Sequence, residues 1–591
     1  MAKLSPCSRI TLLLLLPHFL TVSPATPDDL VINTGDGKVQ GKLLSVLGGN
    51  IRAFLGIPYG KPPVGKLRFS PPEPAESWEG VRDATQFSNS CYQLPDTTFP
   101  GFYGSEMWNA NTPLSEDCLY LNVWTPRFNK TQPKPLAHVL VWVYGGAFNS
   151  GTSSLDLYDG RFLSKSEDVV IVSMNYRLGA LGFLTTPADK NLQGNAGLMD
   201  QRLALQWVAK NIAAFGGDSS KVTLFGESAG SASVGFHLIS PGSQSLFQRA
   251  VMQSGSPNAP WAIFSQDETW RRSTKLATLL GCPQSSPSDM KACLQQADPM
   301  ELTLKQYDVI VWPSLIGIPF GPYVDGHFLQ DTVEVLLSTG KLPKKDVLFG
   351  INKEEGTYFL IYAIPGFNNT GQSLITRDEF LKGVHISMKH ASDATRDMAT
   401  FHYTDWTDEN NSMTNRDSLG SLVGDQMITC PALEFARRYS QHGGKTFLYS
   451  FDHRSSVNPW PEWMGAMHGY EIEFVFGMPL NASLGYTKKE VDMTKKFMKH
   501  WANFARTGNP GIDGDNWPTF TPEKQEYVTL NTNPPERKMK MNAKECHLWN
   551  TFLPKVQKVT EDLQSCLTAN GILFHCNYTF LLILSVITLT Y

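Results

Sequence analysis

No cluster of lysine and arginine interleaved with aromatic residues occurs anywhere in this 591-residue chain. With 51 Lys+Arg against 55 Asp+Glu the formal net charge is −4, so the sequence lacks the basic footprint of a nucleic-acid binder. It also lacks an internal repeat, a Pro/Ser linker and a run of like charge, which argues against a solenoid and against a chain of tethered modules. Only 18% of residues are charged and 41% are hydrophobic, a globular composition. Length alone suggests several domains. Without a linker in the middle, one large domain over 26–555 is the reading adopted.

The ends differ from the middle. MAKLSPCSRITLLLLLPHFLTVSPATPDD carries Lys3 and Arg9 before an apolar run from Ile10 to about Val22, then small residues near Ala25. Residues 1–25 therefore read as a secretory signal peptide, the run being short for a membrane span. Residues 556–591 end in SCLTANGILFHCNYTFLLILSVITLTY, almost wholly apolar over the last twelve positions. No charge follows, and Ser565, Ala569, Asn570 and Gly571 offer small residues upstream. This pattern resembles a GPI-attachment signal; a tail-anchored helix and an uncleaved hydrophobic end are the alternatives. The expected location is secreted or on the extracellular face of the plasma membrane.

A secretory route changes the reading of the nine cysteines. Cys7 falls in the signal, and Cys566 and Cys576 lie near the other end. The remaining six suggest three disulfides, chosen from 15 pairings. Short loops favour Cys91–Cys118 and Cys282–Cys293, leaving Cys430–Cys546. Asn129, Asn368, Asn410 and Asn481 open glycosylation sequons.

From about residue 30, short strand-like runs alternate with helical patterns. HVLVWVY (138–144), DVVIVSMNY (168–176), KVTLF (221–225), DVLFGIN (346–352) and KTFLYSFDH (445–453) read as strands. LMDQRLALQWVAKNIAAF (198–215) and SASVGFHLI (231–239) read as helices. Continuous apolar runs mark buried parallel strands, so the expected fold is α/β: a large, mostly parallel sheet flanked by helices.

Within it lies KVTLFGESAG (221–230), a G-x-S-x-G box between a strand and a helix. A serine hydroxyl is a poor nucleophile unless a base takes its proton and a third group orients that base. The elbow exposes Oγ on a strained turn that its glycines permit, which makes Ser228 the candidate nucleophile. Gly145–Gly146–Ala147, after the strand 138–144, suit an oxyanion hole, where loss of one amide donor costs about a hundred- to a thousandfold in rate. Chain order in such sites is Ser, acid, His. His237 lies on the elbow's own helix, which leaves His453 and His468 open as the base. Glu354 and Glu355, after strand 346–352, are both open as the acid.

AFLGIPYGKPPVGKLRF, SEDCLYLNVWTP, VYGGAFNSG, GNAGLMDQRLALQWVAKNIAAFGGD, FGESAGSASV and HGYEIEFVFG resemble type-B carboxylesterases of the α/β-hydrolase fold. FPGFYGSEMWN, QSGSPNAPWA and WPEWMGAMHGYEIEFVFG are similar, more narrowly, to vertebrate-type cholinesterases. The likeness covers about residues 30–555. It implies choline-ester hydrolysis by Ser228, Glu355 and His468, with the amides of Gly146, Ala147 and Ala229 as oxyanion donors. The family's third glycine is Ala147 here, which costs about 1 kcal/mol if the position needs positive φ. Trp108 matches the ring that holds the choline ammonium, Glu227 adds negative charge beside it, and Tyr358 stands opposite. Asp96 and Tyr362 match the pair at the cavity mouth.

Ile316 and Ile318 fall where acetyl-selective members carry two phenylalanines, and Trp261 lines the same pocket wall. The resemblance thus implies broad acyl specificity of the butyryl type. Leu94, Asn149 and approximately Tyr307 replace rim aromatics, which implies a weaker peripheral site. VTEDLQSC runs straight into the tail, so a Trp-rich tetramerisation helix is not expected; Cys566 offers a link between two chains. The implied chemistry needs no cofactor and no metal. The rival readings are an acetyl-preferring enzyme, a general carboxylesterase, and an adhesion protein, whose relatives typically lose a triad member.

Overall fold

The computed structural model describes residues 30–126, 135–185, 194–339, 342–512 and 517–568. The readings made on 1–25, Asn129, Cys576 and the last apolar run lie outside them.

An eleven-stranded sheet runs through the molecule. Its centre is seven parallel strands in the order Glu526–Leu530, Thr446–Phe451, Asp346–Asn352, Arg249–Gln253, Gly217–Glu227, Ala137–Val143 and Val170–Met174. Antiparallel strands extend it at both margins: Glu536–Met539 on one side, then Tyr120–Thr125, Gly49–Pro58 and Lys42–Val46 on the other. A separate three-stranded sheet joins Val31–Asn33, Lys38–Gln40 and Val81–Asp83. The central strands are apolar on both faces because helices cover both.

Helix Ala196–Asn211 forms over the apolar spacing read from the sequence and continues as one 3-10 turn, Ile212–Phe215. Strand Gly217–Glu227 is longer than its apolar run, beginning in the polar GDSSK. Three disulfides, Cys91–Cys118, Cys282–Cys293 and Cys430–Cys546, brace the loops. Cys566 is free and exposed, on helix Leu553–Thr568. That helix runs across residue 555 and packs on Asp393–Tyr403, with Gln557 Oε1 accepting from the Ser392 amide at 2.8 Å. No helix among the described residues is long and apolar enough to cross a membrane.

The parallel order places the candidate catalytic groups at one end of the sheet. Ser228 follows strand Gly217–Glu227, Gly145–Ala147 follow Ala137–Val143, Glu355 follows Asp346–Asn352, and His468 lies in the loop after Thr446–Phe451. Ligands of open α/β sheets sit beyond these carboxyl ends.

Candidate active site

Ser228 is the N-cap of helix Ala229–Ile239 with φ 57° and ψ −123°. A non-glycine residue there stores strain, of a size common at functional sites. Neighbours hold it: its amide donates to the Gln253 carbonyl at 2.9 Å, and Glu227 and Val143 lie in register with Gln253 and Gly226. The crossing is so tight that a Cβ on Gly230 would stand 2.0 Å from the Val143 carbonyl oxygen. Only glycine fits, which explains the last letter of G-x-S-x-G.

The loop after Ala137–Val143 is equally unusual. Gly146 has φ 104°, and Ala147 and Phe148 have φ 53° and 59°. Ala147 thus occupies the left-handed region where glycine is preferred, and the cost of about 1 kcal/mol applies. The turn closes through the Gly146 carbonyl, which accepts from the amides of Asn149 and Ser150, each at 3.0 Å. The amides of Gly146 and Ala147, and the first amide of helix Ala229–Ile239, make no hydrogen bond among the described residues. They are donors available to an oxyanion.

Of the candidate bases, His468 enters this site. Its Nδ1 lies 2.6 Å from Glu355 Oε2, and Glu355 Oε1 accepts from the Asn352 amide at 2.7 Å. A carboxylate at Nδ1 fixes the proton there and leaves Nε2 as the acceptor. His453 is elsewhere, 3.0 Å from Glu490. Glu354 turns away, accepting from the Ala466 amide at 2.8 Å and facing Lys353 at 3.6 Å. His237 is buried between Ser243 and Gln201, and burial lowers it to about 3.

Two further carboxylates surround the imidazole. Glu227 Oε1 lies 3.2 Å from His468 Nε2. Glu471 is wholly buried, accepting from Gln253 Nε2 at 2.9 Å and Asn352 Nδ2 at 2.6 Å. Burial opposes charge on His468, but Glu227, then Glu355, outweigh it and raise the imidazole to about 9. Burial also pushes the Glu227 carboxyl well above its ordinary value. The two groups are coupled: charge on the Glu227 carboxylate favours charge on the His468 imidazole, and the reverse.

Ser228 and His468 line one cavity of about 310 Å³, together with Gly146, Ala147, Glu227 and Trp108. Trp108 packs edge-on against Tyr470, ring centroids 6.0 Å apart. Tyr358, Tyr362 and Asp96 also line it. The Tyr362 hydroxyl donates to Asp96 Oδ2 at 2.9 Å and lies 3.3 Å from that of Tyr358. Leu315, Ile316 and Gly317 also line it. Ile318 and Trp261 do not line this cavity; they line a neighbouring one, with Trp261 Nε1 donating to the Met427 carbonyl at 2.8 Å. Of the rim positions, Asn149 lines the cavity and its Nδ2 donates to Gly317 at 3.3 Å, whereas Leu94 and Tyr307 do not.

Several lining residues carried no signal in the sequence reading. Phe359 lies against His468 at 5.1 Å between ring centroids, and Leu155 and Tyr158 also line the cavity. Glu471, three positions after His468, looks like any carboxylate until its burial is known.

A strained serine between strand and helix, opening into a cavity that also holds a carboxylate-oriented imidazole, is the arrangement of a serine hydrolase. The chain belongs to the carboxylesterase family, whose family model matches residues 28–549, and it is a serine carboxylic-ester hydrolase of α/β-hydrolase fold. It is 48% identical over 559 residues to the acetylcholinesterase of Bungarus fasciatus, covering 94% of this chain and 91% of that protein. It is 50% identical over 542 residues to the cholinesterase of Mus musculus, covering 91% and 89%. Against the acetylcholinesterase of Danio rerio the identity is 47% over 573 residues, 90% of each.

Proposed function

We propose that this chain hydrolyses choline esters through a Ser228–His468–Glu355 triad, with broad acyl specificity. Ser228 Oγ attacks the ester carbonyl as His468 Nε2 takes its proton. Glu355 holds the imidazole and stabilises its charged form. The amides of Gly146, Ala147 and Ala229 receive the oxyanion. Choline leaves with the proton from His468. Water, deprotonated by the same imidazole, then releases the carboxylate and restores Ser228.

The observation that carries this reading is the shared cavity: Ser228 and the Glu355-held His468 open onto the same space as Trp108 and Glu227. An indole face attracts a quaternary ammonium by about 2 kcal/mol when desolvated, and Glu227 adds charge of the right sign. The names of the relatives, acetylcholinesterase and cholinesterase, agree with it. Asp96 and Tyr362 meet the cation at the mouth. Ile316 on the acyl wall leaves more room than an aromatic ring, which favours longer acyl chains; Ile318 and Trp261 would act from behind that wall.

The same reading takes 26–555 as the catalytic domain, reached through a secretory signal, and 556–591 as a tail carrying a GPI-attachment signal. Asn368 and Asn410 are exposed and Asn481 is half-buried, accessible enough to carry glycans. Exposed Cys566 supports pairing of two copies. Acyl-chain profiling tests the proposal: acetyl-, propionyl- and butyrylthiocholine are turned over beside matched uncharged esters. Comparable rates for acetyl and butyryl are expected. A steep fall beyond acetyl contradicts the acyl reading, and indifference to choline contradicts the whole.

A further inference from the structure

A second cavity, of about 500 Å³, lies behind segment 310–318. Leu315 and Ile316 line both cavities, so this segment is the wall between them. The inside is apolar, with Trp261, Phe264, Ile318 and Met388. The rim is cationic: Arg271, Arg272 and Lys389 stand there against a single carboxylate, Glu268. Glu268 is already held by both arginines, at 2.7 Å from Arg271 Nε and 2.6 Å from Arg272 Nε. Arg272 also donates to the Pro319 carbonyl at 3.0 Å and lies 4.6 Å from the Phe264 ring centroid. Lys389 has no ion pair among the described residues; its Nζ donates to the carbonyls of Val311 and, at 2.8 Å, Pro313.

We propose that this cavity binds a free aliphatic carboxylate, with its head group at Lys389 and its chain along Trp261 and Ile318. An ammonium has three N–H donors, and two carbonyls occupy two of them, leaving one to face an anion. The surplus of positive charge excludes choline-like cations. The apolar interior rewards chain length, and a charge-assisted contact at Lys389 rewards a carboxylate over an alcohol. Burial and the neighbouring Arg272 lower the Lys389 ammonium, outweighing the opposing pull of Glu268. Because Leu315 and Ile316 face both cavities, an occupant would press on the acyl wall.

Calorimetric titration of the full chain with sodium octanoate, sodium butyrate and 1-octanol tests this without reference to catalysis. Octanoate should bind, with butyrate and 1-octanol each weaker by about tenfold or more. Lys389→Met should weaken octanoate about tenfold and Lys389→Arg restore it, while Trp108→Ala leaves it unchanged. Tighter binding of butyrate than octanoate would assign the site to a short acyl product and overturn the chain assignment. Undiminished binding to a folded Lys389→Met protein, or loss of binding in Trp108→Ala, would overturn the site.

Discussion

Oε1 of Glu227 lies 3.2 Å from Nε2 of His468, the nitrogen that must take the serine proton. The carboxylate next to the nucleophile in sequence is therefore also the largest electrostatic influence raising the base. Removing its charge takes away a force that favours imidazolium. In Glu227→Gln the acidic limb of the kcat/KM profile should move to lower pH, while kcat/KM for a cationic ester falls about tenfold at neutral pH. A pH–rate profile checks both, and an acidic limb that stays fixed or moves up contradicts the coupling.

Replacing the candidate nucleophile tests the division of labour. Ser228→Ala should lose at least about 10⁴-fold in kcat while still being stabilised thermally by a quaternary-ammonium ligand, since Trp108 and Glu227 remain. Turnover near that of the parent would show that the strained serine is not the nucleophile.

Ala147 at φ 53° gives a prediction about stability. Glycine tolerates that conformation without a Cβ clash, at the expense of more unfolded-state freedom. Ala147→Gly should raise the unfolding free energy by up to about 1 kcal/mol and keep kcat within a few fold. Denaturant unfolding measures the first, and a clear loss of stability would refute the strain.

Glu473 is buried, and desolvation pushes its carboxyl up to about 7. An acid with a raised pKa in the fold binds its proton more tightly folded than unfolded. Its contribution is complete at low pH, and stability falls as pH rises from about 4.5 to 7. Glu473→Gln should then be more stable than the parent at pH 8 by about 3 kcal/mol, with the advantage vanishing near pH 4. Equal melting temperatures at pH 8 would contradict this.

The sequence was most legible where local pattern and chemistry coincide. DVLFGIN reads as a strand and is one, Asp346–Asn352, because its apolar run, Val347 to Ile351, is too short for a helix and is bounded by the polar Asp346 and Asn352. G-x-S-x-G was readable because a strained turn leaves its glycines behind, and Gly230 fits where no Cβ would. Choosing between His453 and His468, or Glu354 and Glu355, was beyond local pattern; it depended on which side chains a fold of distant strands would bring together. Glu471 illustrates the limit: its importance lies in total burial and in bonds to Gln253 and Asn352, more than a hundred residues away. Ile318 and Trp261 show another limit. Alternate residues of one loop read alike, yet Ile316 faces the Ser228 cavity and Ile318 lies behind it.

Recognition of the alcohol group's charge at Trp108 is what separates a choline esterase from a general carboxylesterase here. The most direct measurement compares kcat/KM for butyrylthiocholine with that for the uncharged 3,3-dimethylbutyl thioester of the same acid, in the parent and in Trp108→Ala. A preference for the charged ester of about tenfold or more is expected in the parent, collapsing toward unity in the variant with the neutral ester little affected. Equal rates on both esters in the parent, or a preference that survives loss of the indole, would contradict it.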